Sequence, residues 1–354
     1  MTTHFFLGAN SGSGFQSLYG QLMDPERTRD MLVLKGGPGV GKSSFMRQIG
    51  QAAEERKLAV EYICCSGDPA SLDAVLLPQL GVIAVDGTAP HVVEPEYPVA
   101  VDRYVDLGRF YDVDALKHRR DEILQNCRAY RRAYAEAYGS LRAAEGIRRE
   151  VRQRVAGVMD QEKLQRRFQG IIRREIPSRK NGKKGCCQCR FLGGVTHLGE
   201  IFCWESVWTL CPRIYELADH YGLSWQVLEN IREEACAAGW DVIACMDPEQ
   251  PQRILHLLIP GRELAFLSAD ASQHGKQSYR RIRVEAMAEP EFFRKNKSYL
   301  RFARRVEETM KQDAVEHLRQ AKHWHDQLEA VYNPCVDFDG VYRLAQKEIC
   351  RMLP

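Results

Sequence analysis

Residues 36–43 read Gly-Gly-Pro-Gly-Val-Gly-Lys-Ser, and their types and spacing suit one kind of chemistry. Gly36, four intervening residues and then Gly41-Lys42-Ser43 satisfy the G-x-x-x-x-G-K-[ST] pattern. In that pattern backbone N–H groups cradle a β-phosphate, the lysine reaches the β- and γ-phosphates and the hydroxyl meets Mg²⁺. Glycine allows positive φ and puts no Cβ between backbone and anion. Gly37, Pro38, Gly39, Val40, Gly41, Lys42, Ser43 and Ser44 are therefore the expected phosphate-binding residues. Asp86 ends the apolar run Gly81-Val82-Ile83-Ala84-Val85. That is the Walker B pattern, so Asp86 and Ser43 are the expected Mg²⁺ residues, and Lys42 and Asp86 the expected catalytic ones.

The group that would activate water is less defined. No glutamate follows Asp86; the sequence runs on as Gly87-Thr88-Ala89-Pro90-His91. Asp68, just past the end of the earlier apolar run Ala59–Cys64, is a candidate general base, and His91 a candidate for the γ-phosphate. Each is also an ordinary turn residue, Asp68 because it precedes Pro69 and suits a helix cap. Guanine specificity lacks its element, since Asn296-Lys297-Ser298-Tyr299 has no aspartate in the N-K-x-D position.

Such a site needs a strand before the loop and a helix after it. Met31-Leu32-Val33-Leu34 is the strand, and Ser43 to about Arg56 carries Phe45, Met46, Ile49 and Ala53 at helical spacing. The helix N-terminus then points at the anion. Ala59–Cys64 reads as a second strand, SGDPASLDAVLLPQL as a turn and short helix, and residues 81–86 as a third strand. Alternating elements imply an α/β fold with a parallel sheet and the ligand at the strand C-termini.

From Asp112 the pattern becomes long helices. Ile123, Cys127, Tyr130, Tyr134, Tyr138 and Leu141 form one stripe, expected to be packing between two helices. The stretch 114–190 holds 21 Lys plus Arg against 9 Asp plus Glu, a net +12 in a chain of net +3. That surface would attract a nucleic acid or an acidic protein, or close over phosphates through Arg119, Arg120, Arg131 or Arg132, or simply be solvated.

The second half repeats the first. Phe6-Leu7-Gly8 recurs as Phe191-Leu192-Gly193, an offset of 185. Residues 31–85 overlay 213–267 without gaps at an offset of 182, pairing Ile49 with Ile231, Ala53 with Ala235 and Val60 with Val242. Asp160 corresponds to Asp337 after each helical stretch. Lys42 falls opposite Ser224, Ser43 opposite Trp225 and Asp86 opposite Ser268, so the second copy is expected to be degenerate and to bind no nucleotide. The expected units are an α/β domain over 1–111, a basic helical hairpin over 112–176, a linker over 177–188, a degenerate α/β domain over 189–288 and a second hairpin over 289–354.

At 354 residues two domains are the prior expectation. No apolar run approaches the roughly 18–20 residues of a membrane span, and the first ten residues have no leader pattern, so the expected location is the cytoplasm. The twelve cysteines are then expected as thiols. Cys186 and Cys189 have the spacing of half a zinc site, but no second pair follows at finger spacing, and free thiols in a linker are expected.

The stretches FLGANSGSGFQSL, LKGGPGVGKSSFMRQIG, CSGDPASLDAVLLPQLGVIAVDGTAPHVVEPEYPVAVD and AKHWHDQLEAVYNPCVDF resemble a family of largely uncharacterised bacterial ATPases with tandem P-loop domains. The resemblance covers nearly the whole chain. It implies a P-loop NTPase fold, duplicated, with helical hairpin extensions, and ATP and Mg²⁺ as cofactors at Lys42, Ser43 and Asp86. The expected function is a Mg²⁺-dependent ATPase with one site per chain that couples turnover to conformational change. A small-molecule or nucleotide kinase and an ATP-sensing adaptor are the alternatives.

Overall fold

The structure is a computed structural model that describes residues 1–179, 182–268 and 274–353. Residues 180 and 181 of the expected linker, and 269–273 of the expected second α/β unit, lie outside the described residues. The first half opens with β1 (Thr2–Phe5) and the hairpin β2 (Gly8–Ser11) and β3 (Gly14–Ser17). It continues through β4 (Asp30–Lys35), α1 (Lys42–Glu55), β5 (Val60–Cys64), β6 (Leu72–Leu77), β7 (Val82–Asp86) and β8 (Asp102–Asp106). Three helices follow, α2 (Val113–His118), α3 (Arg120–Ala156) and α4 (Gln161–Glu175).

The second half has β9 (Cys187–Arg190), the hairpin β10 (Gly193–Thr196) and β11 (Gly199–Phe202), and α5 (Trp204–Leu210). Then come β12 (Arg213–Ala218), α6 (Trp225–Ala237), β13 (Val242–Asp247), β14 (Gln250–Ile259), β15 (Leu264–Leu267) and β16 (Arg280–Arg283). It closes with α7 (Pro290–Lys295), α8 (Lys297–Tyr332) and α9 (Phe338–Met352).

Both halves build a six-stranded sheet, in the orders β1-β5-β6-β7-β4-β8 and β9-β13-β14-β15-β12-β16. The two orders correspond strand for strand, and so do the directions. In each sheet the second and third strands, and the third and fourth, pair antiparallel, and the other neighbours pair parallel. The sheets are therefore mixed, which corrects the expectation of a parallel sheet. The strand responsible is β6, where a turn and short helix were expected. All six of its residues are buried, and a short apolar run of that kind does not distinguish strand from buried helix by its period.

Sequence-local chemistry sets the helix starts. The Asp160 carboxylate accepts from Lys163 N at 2.9 Å and Asp337 from Gly340 N at 2.8 Å, capping α4 and α9 alike. α3 and α8 run antiparallel side by side. Arg119 at the head of α3 donates to Val331 O near the end of α8, while Arg154 near the end of α3 stacks over Tyr299 near the start of α8.

This pairing exchanges the hairpins between halves. Leu164, Phe168 and Ile171 of α4 are buried with Leu217, Leu228 and Ile231 of the second half. Val341, Ala345 and Ile349 of α9 are buried with Leu34, Phe45 and Ile49 of the first. A further core joins the two sheets through Phe5, Phe6, Phe191 and Leu192. There Phe6 and Phe191 exchange both backbone hydrogen bonds, at 2.9 and 2.8 Å. Phe6 follows β1 and Phe191 follows β9, the first strand of each sheet order.

Candidate functional site

The loop between β4 and α1 lies at the C-terminal edge of the first sheet, with Leu34 of β4 in register with Asp86 of β7. Gly39 and Gly41 take φ values of +70° and +90°, which a side chain would resist. α1 starts at Lys42 with Gly41 as its N-cap, which has no side chain to accept from its first N–H groups. Those donors are the ones a helix start leaves for an anion. Lys42 Nζ donates to Gly36 O at 2.7 Å and Gly37 O at 2.9 Å, and lies 3.6 Å from Asp86 Oδ2. Asp86 Oδ1 is occupied by Thr88 N (2.9 Å) and Thr88 Oγ1 (2.6 Å). Ser43 Oγ accepts from Leu72 N at 2.9 Å, and its second lone pair remains for a cation. Pro38 O accepts from Tyr111 OH at 2.8 Å, Val40 is buried in the core and Ser44 is exposed.

Asp73 was not singled out from the sequence. It is buried on β6, and Asp73, Asp86 and His91 each bring one ligand atom within 4.8 Å of the others. Tyr19 OH donates to Asp73 Oδ2 at 2.9 Å, His91 Nε2 lies 3.5 Å from Asp73 Oδ1, and His91 Nδ1 lies 3.0 Å from Asp86 O. Burial pushes the His91 pKa down, but Asp73 and then Asp86 outweigh it and the net shift is upward. His91 thus sits against two carboxylate residues inside the fold, stacked on Tyr19 with ring centroids 4.5 Å apart. The available signal for Asp73 was a lone carboxylate inside the apolar run Leu72–Leu77, since a buried charge requires a partner.

Asp68 sits in the turn after β5, where its carboxylate accepts from Ala70 N at 3.1 Å and pairs with Lys322 Nζ of α8 at 3.4 Å. The helix it was expected to cap is absent, because β6 follows instead. Of the four arginines expected to close over phosphates, Arg119 pairs with Glu122, Arg120 with Asp121 and Arg132 with Glu136, and Arg131 is exposed on α3. The exchanged hairpin covers the loop from the other side. A Cβ at Gly39 would run into Asn333, which follows α8, and one at Gly41 would touch Val341 and Phe338 of α9.

In the second half Asp219 Oδ1 accepts from Leu223 N at 2.9 Å and Asp219 Oδ2 from Ser224 N at 2.7 Å. Leu223 and Ser224 are the equivalents of Gly41 and Lys42 at the offset of 182. A side-chain carboxylate therefore takes the N–H groups that the first loop leaves open. Ser224 Oγ meets Ser268 Oγ at 3.0 Å, and Arg152 of α3 donates to Tyr221 O at 3.1 Å.

Cys187 and Cys189 lie on β9 rather than in a linker, and all twelve cysteines are free thiols. Among the described residues no group of three or more metal ligands forms around them. The tyrosine stripe of α3 packs as expected. Tyr130 meets Tyr134 edge-on at 5.0 Å, Tyr134 meets Tyr138 at a tilt at 5.7 Å, and Tyr130 meets His325 of α8 at 5.8 Å. Among the described residues no helix is long and apolar enough to cross a membrane.

Fold and site define an α/β protein with two like-ordered mixed sheets, one of which carries an open glycine loop and the other a closed one. No family model, no curated protein and no solved structure matches this chain.

Proposed function

We propose that the first half binds ATP with Mg²⁺ and hydrolyses it at a single site per chain, as its likeness to tandem P-loop ATPases suggests, and that the second half is a degenerate duplicate. The observation that carries this reading is the difference between the two loops. The first has Gly37, with no side chain, at the position where the second has Asp219, whose carboxylate takes the N–H groups of Leu223 and Ser224. A phosphate fits the open loop for the reason a carboxylate fits the other.

In this reading the N–H groups of Gly37 and of residues 39–44 hold the phosphates, and Lys42 turns from the Gly36 and Gly37 carbonyls to meet them. Ser43 and Asp86 hold the Mg²⁺, which neutralises phosphate charge. Asp68 is the candidate base, and its pairing with Lys322 ties its freedom to α8. Lys322, Asn333 and Phe338 all belong to the second half and touch the first-half site region. Occupancy of the loop would therefore act on α8 and α9, in the manner of phosphate-ordered switch segments.

The test is titration with ATP and Mg²⁺ together with phosphate release, with and without DNA, RNA and nucleoside monophosphates. Lys42→Ala should weaken binding by at least about tenfold, the scale of one lost charge-assisted contact, and Asp86→Asn should abolish turnover. Phosphoryl transfer to a monophosphate would establish a kinase instead. Binding without turnover under all conditions would leave an ATP-sensing adaptor.

A further inference from the structure

The second sheet keeps a cavity where its loop has closed. It has a volume of about 460 Å³ and lies at the C-terminal ends of β12, β13 and β15, under α3 and α8. That is the size of a small-molecule pocket, at the edge where α/β sheets bind ligands. It is independent of the glycine loop of the first half.

We propose that this cavity is a second ligand site, for a small organic cation that carries an aromatic or apolar body and a hydrogen-bond acceptor.

Three observations select that chemistry. Among the described residues seven carboxylates line the cavity against three cationic side chains, Arg148, Arg304 and Lys311. Two of those cations are already engaged. Arg148 is held by Glu249 at 2.6 Å, and Lys311 by Glu200 at 2.9 Å and Glu307 at 3.2 Å. Arg152 also pairs with the lining Asp247 at 3.6 Å and Glu249 at 3.9 Å, and with it the balance, seven carboxylates against four cations, is still acidic, which disfavours a nucleotide and favours an ammonium group.

The second observation is an aromatic wall. Phe202 stacks on Trp204 with centroids 4.9 Å apart, and Trp204 meets the edge of His256 at 5.7 Å. A ring face beside carboxylates is the usual setting for an organic cation.

The third is an unpaired donor. His256 is only 2% exposed and lines the cavity. Its Nδ1 accepts from Ser268 N at 3.1 Å, so the neutral ring carries its proton on Nε2. Nε2 has no hydrogen-bond partner among the described residues. A buried N–H left unpaired is costly, and an oxygen acceptor on the ligand would relieve it once the ring turns toward the cavity.

The probe is tyramine, which combines an ammonium group, a ring and a phenolic oxygen. Neutral 4-ethylphenol and anionic 4-hydroxyphenylacetate are the controls. Calorimetric titration of the full chain should give one tyramine site, at least tenfold tighter than 4-ethylphenol, with 4-hydroxyphenylacetate weakest. At about pH 8, where the Glu145 carboxyl is ionised, Glu145→Gln keeps the acceptor for Gly12 N and removes one lining charge, so it should weaken tyramine severalfold and leave 4-ethylphenol unchanged. Lys42→Ala should leave tyramine binding intact, which separates this site from the nucleotide loop. Absence of tyramine binding at millimolar concentration would overturn the proposal. So would equal or tighter binding of either control, or a tyramine affinity indifferent to both Glu145→Gln and Trp204→Leu.

Discussion

Ser224 Oγ lies 3.0 Å from Ser268 Oγ, at the two positions where the first half sets Lys42 Nζ 3.6 Å from Asp86 Oδ2. An ion pair that could serve a phosphate and its cation is replaced by two neutral hydroxyls. Restoring the charges alone should not restore a site, because the Asp219 carboxylate still occupies the N–H groups of Leu223 and Ser224. Ser224→Lys, alone or with Ser268→Asp, is expected to leave one equivalent of a non-hydrolysable ATP analogue per chain by equilibrium dialysis. A second equivalent would mean that the Asp219 carboxylate does not keep a phosphate out of the loop.

The exchanged hairpins predict that damage crosses between halves. Phe168 follows the first sheet in sequence but is buried in the core of the second, and Ile349 has the converse placement. Truncation to alanine should cost roughly 3–5 kcal/mol for Phe168 and 2–5 kcal/mol for Ile349. Hydrogen exchange should quicken in β12, β15 and α6 for Phe168→Ala, and in β4, β7 and α1 for Ile349→Ala. Loosening of the sequence-local sheet in each case would contradict the exchange.

How far the sequence reaches is visible in particular residues. The offset of 182 read from residues 31–85 carries β5 onto β13 and α1 onto α6 within one residue, because both copies keep apolar positions at the same period. β6 escaped, since six consecutive buried residues have no alternation to read. The exchange of α4 and α9 escaped for a different reason. An amphipathic pattern tells which face of a helix is apolar and leaves open which sheet it covers. Asp219 carried no signal on its own, because its role depends on two N–H groups that only the folded loop presents.

Arg190 and Glu61 form a buried pair that stitches the halves together, with Nε 2.6 Å from Oε1 and both residues under 10% exposed. Removing one partner strands the other in the interior, which typically costs about 3–5 kcal/mol. Arg190→Met should therefore destabilise strongly, and adding Glu61→Leu should recover much of the loss. A double-mutant cycle by denaturant titration measures this coupling. Additive losses would show that the two charges do not depend on each other.

Glu145 gives the protein a pH dependence of calculable sign. Burial raises its pKa from 4.5 to about 7, with Glu249 and Asp247 adding to the shift and Gly12 N–H and Arg148 opposing it. Between those values the folded state holds the proton more tightly than the unfolded chain. The stability contributed by the protonated carboxyl is full at the acid end of the window and is lost as pH rises through about 7. Glu145→Gln mimics the protonated form, so it should match the native protein near about pH 5 and exceed it near about pH 8. The half-buried site admits solvent, and the gain should be about 1–2 kcal/mol rather than the full shift converted. Denaturant midpoints across that range measure it. A difference independent of pH would mean that the carboxyl titrates alike in both states, since a neutral amide responds to packing alone and an ionising group to the proton as well.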